Sequence, residues 1–272
     1  MTFSLGVIGL GRMAQALIFP LIERGKLLPA DVIAVVGSQA SVSRLIPDLP
    51  KGLTVVPASD PRAVSAWNAS VQLLAVKPQQ LDAVAECVGP AQSDQPPLLI
   101  SVLAGVTLER LQNQFPGRAC VRAVPNTPCL VGEGLCGLAW GEGITAQQRQ
   151  WVKAAFDPVS EVLELPESRL DAFLALTSSG PAYVALVAEA MADGAVAAGL
   201  PRELAHRLAH RTLAGTAALL DQQQLHPALL KDMVASPGGT TMAALRTLES
   251  AGVRTALIEA VVAAAEHGRA LR

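Results

Sequence analysis

Apolar positions in the first part of the chain fall into short runs that alternate with amphipathic stretches. Eight Val-, Ile- and Leu-rich runs predict strands, at 3–8, 31–36, 53–56, 71–76, 97–103, 119–124, 134–140 and 159–165. Between them, a helical period is clearest at 12–24, 78–88 and 145–156. Continuous apolar strands alternating with helices are typical of a parallel sheet covered on both faces. We therefore predict an α/β fold with a doubly wound Rossmann domain over residues 1–165.

From about residue 168 onwards the pattern is helical throughout. Of residues 181–272, 24 are Ala, the strongest helix former, and small side chains let helices approach closely. We place the domain boundary near Pro166 and predict an all-α C-terminal domain over 166–272. Helices at 181–199 and 202–221 carry apolar residues on more than one face, which predicts that a second copy of the chain covers them.

Composition and charge exclude several classes of protein. Half of the residues (51%) are apolar and 16% are charged, so the chain has ample apolar surface to bury and is not disordered. A net charge of -2 argues against nucleic-acid binding. Acidic residues such as Glu189 and Glu259 interrupt the longest apolar stretches, which argues against membrane spans. Four cysteines without C-x-x-C spacing and the lack of a basic N-terminal segment lead us to expect a reduced, cytoplasmic protein.

A dinucleotide fingerprint, G-x-G-x-x-A, follows the first predicted strand. Gly9 permits the tight turn, Gly11 lets the main chain approach a pyrophosphate, and Ala14 allows close packing of helix on strand. Arg12 and Met13 open the helix, whose N-terminal N–H groups favour phosphate. We assign all of these except Ala14 to the cofactor site.

The end of the second strand favours NADP(H) over NAD(H). An NAD site usually places Asp or Glu there, whereas this chain has Gly37, Ser38 and Gln39. The small residues leave room for a 2′-phosphate, and Arg44 or Arg12 would neutralise it. The alternative, that Arg44 is simply a solvated helix residue, stays open.

Three later strands end in segments suited to a cofactor crevice, because ligands of such sheets lie beyond the carboxyl ends of the strands. These segments are Val76-Lys77-Pro78, Ala104-Gly105 and Pro125–Pro128. Each is also compatible with an ordinary turn, but three at one sheet edge favour a binding site.

The segment Ser236-Pro237-Gly238-Gly239-Thr240-Thr241 runs into a helical pattern. Main-chain N–H groups and two Thr hydroxyls at a helix start suit a small carboxylate. The alternative is a plain Thr N-cap; two consecutive glycines exceed what a cap needs and favour anion binding. We predict no metal site, because the His206–His210 pair lacks the Glu of H-E-x-x-H.

No Ser/His/Asp set or carboxylate pair stands out. Hydride transfer to an activated C=N bond requires none, since it depends on positioning and a mild proton donor. With the fingerprint and the Gly-Gly-Thr-Thr turn, this predicts a nicotinamide-dependent reductase.

These motifs together resemble pyrroline-5-carboxylate reductase along essentially the whole chain. The most specific match is Val234–Thr241 followed by Leu245, Leu248 and Glu249. The resemblance implies reduction of 1-pyrroline-5-carboxylate to L-proline, the last step of proline biosynthesis, with NADPH or alternatively NADH. It also implies a helical domain that interlocks in a homodimer, often assembled further into a decamer.

The resemblance also implies roles for single residues. Gly239, Thr240 and Thr241 would hold the substrate carboxylate beside Ser236 and Gly238, and the Thr241 hydroxyl would deliver the proton, alone or through water. The implied cofactor contacts are Ser38, Ser59, Lys77, Pro78, Ala104 and Asn126. Gln39 and Gln224 depart from residues common in the family at these places.

Two other readings stay open. One is a different imine or β-hydroxyacid dehydrogenase; a hydroxyacid enzyme needs a base such as Lys in the helical half, where Lys231 is the only candidate. The other is a non-enzymatic NADP-binding sensor, which explains the fingerprint but not the Gly-Gly-Thr-Thr turn.

Overall fold

A computed structural model describes residues 4–91 and 95–270. Eight strands form one sheet in the order β3-β2-β1-β4-β5-β6-β7-β8. Their bounds are β1 Leu5–Ile8, β2 Val32–Val36, β3 Thr54–Pro57, β4 Val71–Leu74, β5 Leu98–Ser101, β6 Ala119–Pro125, β7 Gly134–Trp140 and β8 Ser160–Glu164. All eight coincide with a predicted strand.

Helices connect the strands and make up the C-terminal part. Their bounds are α1 Arg12–Glu23, α2 Gln39–Leu45, α3 Val64–Trp67, α4 Leu81–Glu86, α5 Leu108–Gln114, α6 Ala146–Phe156, α7 Leu170–Thr177, α8 Gly180–Ala197, α9 Arg202–Gln222, α10 Pro227–Val234, α11 Thr240–Ser250 and α12 Val253–Ala270. The stretch predicted as one helix at 78–88 begins with a 3₁₀ turn, Pro78–Gln80, before α4.

Strands β1 to β6 are parallel, β7 runs antiparallel to its neighbour β6, and β8 is parallel to β7. The order of the first six is that of a doubly wound dinucleotide-binding sheet, which reverses direction between β1 and β4. Loops that leave β1 and β4 therefore flank the point where such sheets bind ligands.

The core lies on both faces of this sheet, because alternate side chains of each strand point to opposite sides. Val7, Leu73 and Ile100 share one face with side chains of α1 and α6, while Leu74 and Leu99 share the other with α5 and α7. Burial on both faces explains why the strands read as continuous apolar runs.

One charged cluster is buried among these apolar side chains. Arg122 of β6 is 0% exposed, and its Nη2 lies 3.1 Å from Asp171 Oδ1 of α7. Its Nη1 lies 3.2 Å from Glu167 Oε1, which also accepts the N–H of Leu108 at 2.8 Å. These ion pairs hold α7 against the sheet.

The chain divides by packing into two compact units. One comprises the residues up to Ser178 together with those from Ala265, and the other comprises Ser179–Ala264. The boundary expected near Pro166 therefore differs from the packing boundary, because Leu170 joins the core of the sheet and Asp171 pairs with Arg122.

In the helical unit, α8 and α9 pack through small side chains, with Ala192, Ala205 and Ala209 buried between them. Many large apolar side chains of this unit stay exposed, among them Leu186 at 66% and Met233 at 69%. One stretch, Glu167–Ala197, is by length and composition apolar enough to cross a membrane, although the break between α7 and α8 divides it.

Candidate active site

The predicted cofactor residues lie in loops at one edge of the sheet, beyond the carboxyl ends of six parallel strands. The main chain ties these loops to neighbouring strands: Gly9 N–H donates to Val35 O at 2.9 Å, and Ala75 N–H donates to Ile8 O at 2.8 Å. The order of strands thus collects segments that are far apart in sequence.

At the centre of this edge, Gly9 and Gly11 shape the turn from β1 into α1. Gly9 has φ of +92°, a conformation that favours glycine. Gly11 is the N-cap residue of α1 without a side-chain cap, and open space surrounds the position of a Cβ on it. The unshielded N-terminus of α1 therefore offers N–H groups and a positive dipole end to a phosphate. Arg12 and Met13 form the first turn of α1.

On one side of this turn, the ends of β2 and β3 present hydroxyl groups. Ser38 caps α2: its Oγ accepts the N–H of Ser41 at 3.2 Å and lies 3.1 Å from Ser41 Oγ. Gln39, Arg44 and Ser59 are exposed. Ser41 was not predicted as a residue of this site. The signal in the sequence that indicates its contact with Ser38 is its position three residues after that capping serine.

On the other side lie the loops that follow β4 and β5. Lys77 follows Val76 and is the N-cap residue of the 3₁₀ turn that begins at Pro78. The main-chain N–H of Lys77 donates to Gln80 Oε1 at 3.2 Å. Its side chain is exposed. Ala104 is exposed, and the adjacent Gly105 has φ of +74°.

Asn126, in the loop after β6, differs from these exposed residues. It is 4% exposed; its Nδ2 donates to Thr177 O at 3.0 Å and its Oδ1 accepts the N–H of Leu135 at 2.8 Å. Both ends of the amide are engaged inside the unit. Only the main chain of Asn126 is therefore free to make the predicted contact with the cofactor.

In the helical unit, Ser236–Thr241 form a tight turn at the start of α11. Gly239 N–H donates to Ser236 O at 2.9 Å, and Gly238 has φ of +71°. The N-cap of α11 is Gly239, not a threonine, and it has no side-chain cap. The reading of a Thr cap is thus wrong: Thr240 and Thr241 occupy the first two helical positions, beside N–H groups that a helix leaves unpaired.

Other candidate chemistry is sparse in the described residues. No group of three or more His, Cys, Asp or Glu in residues 4–91 and 95–270 could hold a metal ion. Burial raises the pKa of the Cys120 thiol to about 11 and that of Cys136 well above its ordinary value. A groove of about 1050 Å³ lies at the opposite edge of the sheet, beside Ser4, Ser70 and Leu98, and is separate from the predicted site.

Two family models match the chain. One, described as pyrroline-5-carboxylate reductase dimerisation, matches residues 167–271. The other, described as NADP oxidoreductase, coenzyme F420-dependent, matches residues 4–105. The two models correspond to the helical part and to the first five strands.

Relatives match over the full length. A pyrroline-5-carboxylate reductase from Synechocystis is 44% identical over 272 residues, which is 100% of this chain and 99% of that protein. This chain belongs to the pyrroline-5-carboxylate reductase family. Another member, from Thermus thermophilus, is 39% identical and covers 98% of both chains.

Solved structures of the pyrroline-5-carboxylate reductase family have the same fold. The enzyme from Plasmodium falciparum with NADP bound superposes with a TM-score of 0.85 at 27% identity, over 99% of this chain and 98% of that one. The Streptococcus pyogenes enzyme gives a TM-score of 0.86 at 26% identity, over 98% of each chain. A reductive aminase from Aspergillus terreus, at 16% identity and a TM-score of 0.55, shares the fold alone.

The predicted family, fold class, oxidoreductase activity and NADP-type cofactor are confirmed by these matches, and the dimerisation model confirms the predicted self-association. The roles of individual site residues stay predictions. The buried Arg122–Asp171 pair and its half-buried partner Glu167 were missed, although a charged residue inside the apolar run of β6 signals a buried ion pair.

Proposed function

We propose that this chain reduces 1-pyrroline-5-carboxylate to L-proline with NADPH, as the last step of proline biosynthesis. The observation that carries the proposal is the 44% identity to a pyrroline-5-carboxylate reductase over the entire chain. The open N-terminus of α1 and the Gly-Gly-Thr-Thr start of α11 supply the two kinds of binding group that such a reaction requires.

The geometry of the sheet edge supports one orientation of the cofactor. Gly9–Met13 would hold the pyrophosphate, and Ser38, Gln39 and Ser59 would bind the adenosine ribose. Arg12 or Arg44 would neutralise a 2′-phosphate. The loops after β4, β5 and β6 would hold the nicotinamide half. Those loops carry the remaining predicted contacts, namely Val76, Lys77, Pro78, Ala104, Gly105 and Asn126.

When bound, NADPH supplies the hydride. The first-turn N–H groups of α11 and the turn at Ser236–Gly239 bind the substrate carboxylate, since a helix N-terminus favours negative charge. Fixing the acid there orients the ring, which converts a bimolecular encounter into a positioned reaction.

Thr241 is the proposed proton donor. The Thr241 hydroxyl, or water held by it, would give a proton to the ring nitrogen when the C=N π pair moves onto that nitrogen during reduction; solvent would return the proton to Thr241. The half-buried position of Thr241, in the first turn next to the proposed carboxylate site, supports this role.

The exposed apolar side chains of the helical unit support a homodimer, and we propose that dimers assemble further into a decamer. The exposed apolar side chains of Glu167–Ala197 then face a partner subunit and not a membrane, because that stretch lies wholly within the part of the chain matched by the dimerisation model. A net charge of -2 supports an enzyme without nucleic-acid partners, and we propose a cytoplasmic location.

The deciding assay follows NADPH oxidation at 340 nm with and without 1-pyrroline-5-carboxylate, and in parallel with NADH. We expect oxidation that depends on the imine and is faster with NADPH. Protein that binds NADPH without turnover would favour a sensor. NADPH oxidation with acyclic imines, or NADP⁺ reduction with β-hydroxyacids, in the absence of turnover of pyrroline-5-carboxylate would favour another dehydrogenase.

A further inference from the structure

The loop that follows β6 is fastened to the C-terminal end of α7 by side chains on both partners. Asn126 Nδ2 donates to Thr177 O at 3.0 Å, and Ser178 Oγ donates to Pro125 O at 3.1 Å. The two bonds run in opposite directions between the same two segments. Together they fix the loop in register with α7.

The same amide also fixes the strand beyond the loop. Asn126 Oδ1 accepts the N–H of Leu135, in β7, at 2.8 Å. A carboxylate at this position would lose the donor to Thr177 O, and an apolar side chain would lose both bonds. Because the group is buried, unpaired partners would be costly, so the loop has little freedom to adopt another conformation.

A second anchor connects α7 to the neighbouring loop. Glu167, just before α7, accepts the N–H of Leu108 at the start of α5, and Leu108 follows the loop of Ala104 and Gly105. Arg122 forms ion pairs with both Glu167 and Asp171. The α7 segment thus braces both loops, after β5 and after β6, that lie on the nicotinamide side of the proposed site.

We infer that Asn126 is a positioning residue, which acts through the conformation of the loop after β6 and not through direct contact of its side chain with the cofactor. This inference rests on the proposed function for its link to catalysis. The adenosine and pyrophosphate halves are held at the β1 and β2 loops, remote from this anchor. Loss of the anchor should therefore misplace the nicotinamide side while leaving cofactor affinity intact.

The test compares Asn126→Ala and the milder Ser178→Ala with a matched control, Gln72→Ala. Gln72 is a buried amide that also bonds main-chain carbonyls, of Trp67 and Ala69, but it lies outside the loops at the carboxyl edge. The measurements are kcat and KM with 1-pyrroline-5-carboxylate, the Kd of NADPH by fluorescence, the thermal midpoint, and amide hydrogen exchange of residues 125–135.

For Asn126→Ala we expect kcat to fall by about 10- to 100-fold, since a displacement near 1 Å costs rates of that order, with the Kd of NADPH within about twofold of wild type. Ser178→Ala should act in the same direction by less. Both should speed exchange at 125–135, whereas Gln72→Ala should lower the thermal midpoint but keep kcat.

Two results would overturn the inference. A rise in the Kd of NADPH with kcat at saturating NADPH unchanged would mean that the side chain contacts the cofactor. A loss of kcat in Gln72→Ala as large as in Asn126→Ala, in step with the thermal midpoints, would mean a purely structural role. If the wild type itself fails to turn over, the proposed function fails, and unchanged exchange at 125–135 in both variants would then still refute the anchor.

Discussion

A Cβ atom placed on Gly9 would lie 2.7 Å from the carbonyl oxygen of Ala75, closer than real side chains approach main chain. Gly9 directly follows β1 and Ala75 directly follows β4, the two strands between which the sheet reverses its order. The first glycine of the fingerprint therefore has two reasons to be glycine: its φ of +92° and the approach of the neighbouring loop.

Gly9→Ala should lower the free energy of unfolding by more than the roughly 1–3 kcal/mol expected for a non-glycine residue in a strained backbone region, because the contact with Ala75 adds to the strain. Gly25→Ala is the matched control: Gly25 has φ of +66°, but nothing lies within 4 Å of its Cβ position. Urea unfolding of both variants measures the difference. Equal losses would show that the contact with Ala75 relaxes at no cost.

Gly11→Val, in contrast to Gly9→Ala, should affect cofactor binding more than stability. The Cβ position on Gly11 is open and its φ is -77°, so the fold should lose only the roughly 1 kcal/mol that an apolar residue costs at an N-cap. The added methyl groups would occupy the space proposed for the pyrophosphate, and the Kd of NADPH should rise by at least about tenfold, equivalent to about 1.4 kcal/mol. Fluorescence titration measures this, and wild-type affinity would show that the pyrophosphate lies elsewhere.

The strands and the cofactor edge could be predicted from local pattern because one rule links them. Strands buried on both faces read as apolar runs, and the ends of parallel strands meet at one edge. This rule predicts that Ser38, Lys77 and Ala104 lie at the same edge. Gly11, Lys77 and Ala104 each lie at the end of a different parallel strand in the fold.

Contacts between residues that are distant in sequence are harder to predict from local pattern. The partners of the Asn126 amide lie 51 and 9 residues away, so the engagement of its side chain followed only from tertiary packing. Similarly, the boundary expected at Pro166 follows a change in composition, whereas α7 packs with the sheet because Asp171 neutralises the buried Arg122. Because the composition of α7 resembles that of the helices after it, the sequence does not indicate that α7 packs on the sheet.

Thr241→Ala should lower kcat by about 10²- to 10⁴-fold if its hydroxyl alone supplies the proton, and by less if water substitutes. The control is Thr247→Ala on the same helix, whose hydroxyl donates to Ala243 O. Steady-state rates with saturating NADPH and imine separate the two. Wild-type turnover in Thr241→Ala would remove this residue from the proton-transfer step, while a loss in both variants would indicate damage to α11.

Stability should fall at alkaline pH, in part through Cys120. Burial raises the pKa of this thiol to about 11, against a smaller lowering by Arg118, from an ordinary value near 9.0. Because the folded state disfavours the thiolate, the stabilisation is present below about pH 9 and is lost as the pH rises through about 11. Cys120→Ala should therefore lose less stability between about pH 8 and about pH 10.5 than wild type, in urea unfolding under reducing conditions. Equal losses would contradict the raised pKa.

Leu186→Glu should dissociate the dimer. Leu186 is 66% exposed on α8 although it belongs to the unit matched by the dimerisation model, so we expect a partner subunit to cover it. An unpaired carboxylate there would lose its hydration on association, at a cost of several kcal/mol, and each 1.4 kcal/mol weakens association about tenfold.

Leu28→Glu is the control for this substitution, because Leu28 is 64% exposed but belongs to the sheet-containing unit. Sedimentation equilibrium should show Leu186→Glu shifted toward monomer, with a thermal midpoint that depends on protein concentration, while Leu28→Glu keeps the wild-type mass. A dimer that persists in Leu186→Glu would place the interface on another face of the helical unit. Dissociation of both variants would mean that the sheet-containing unit also takes part in assembly.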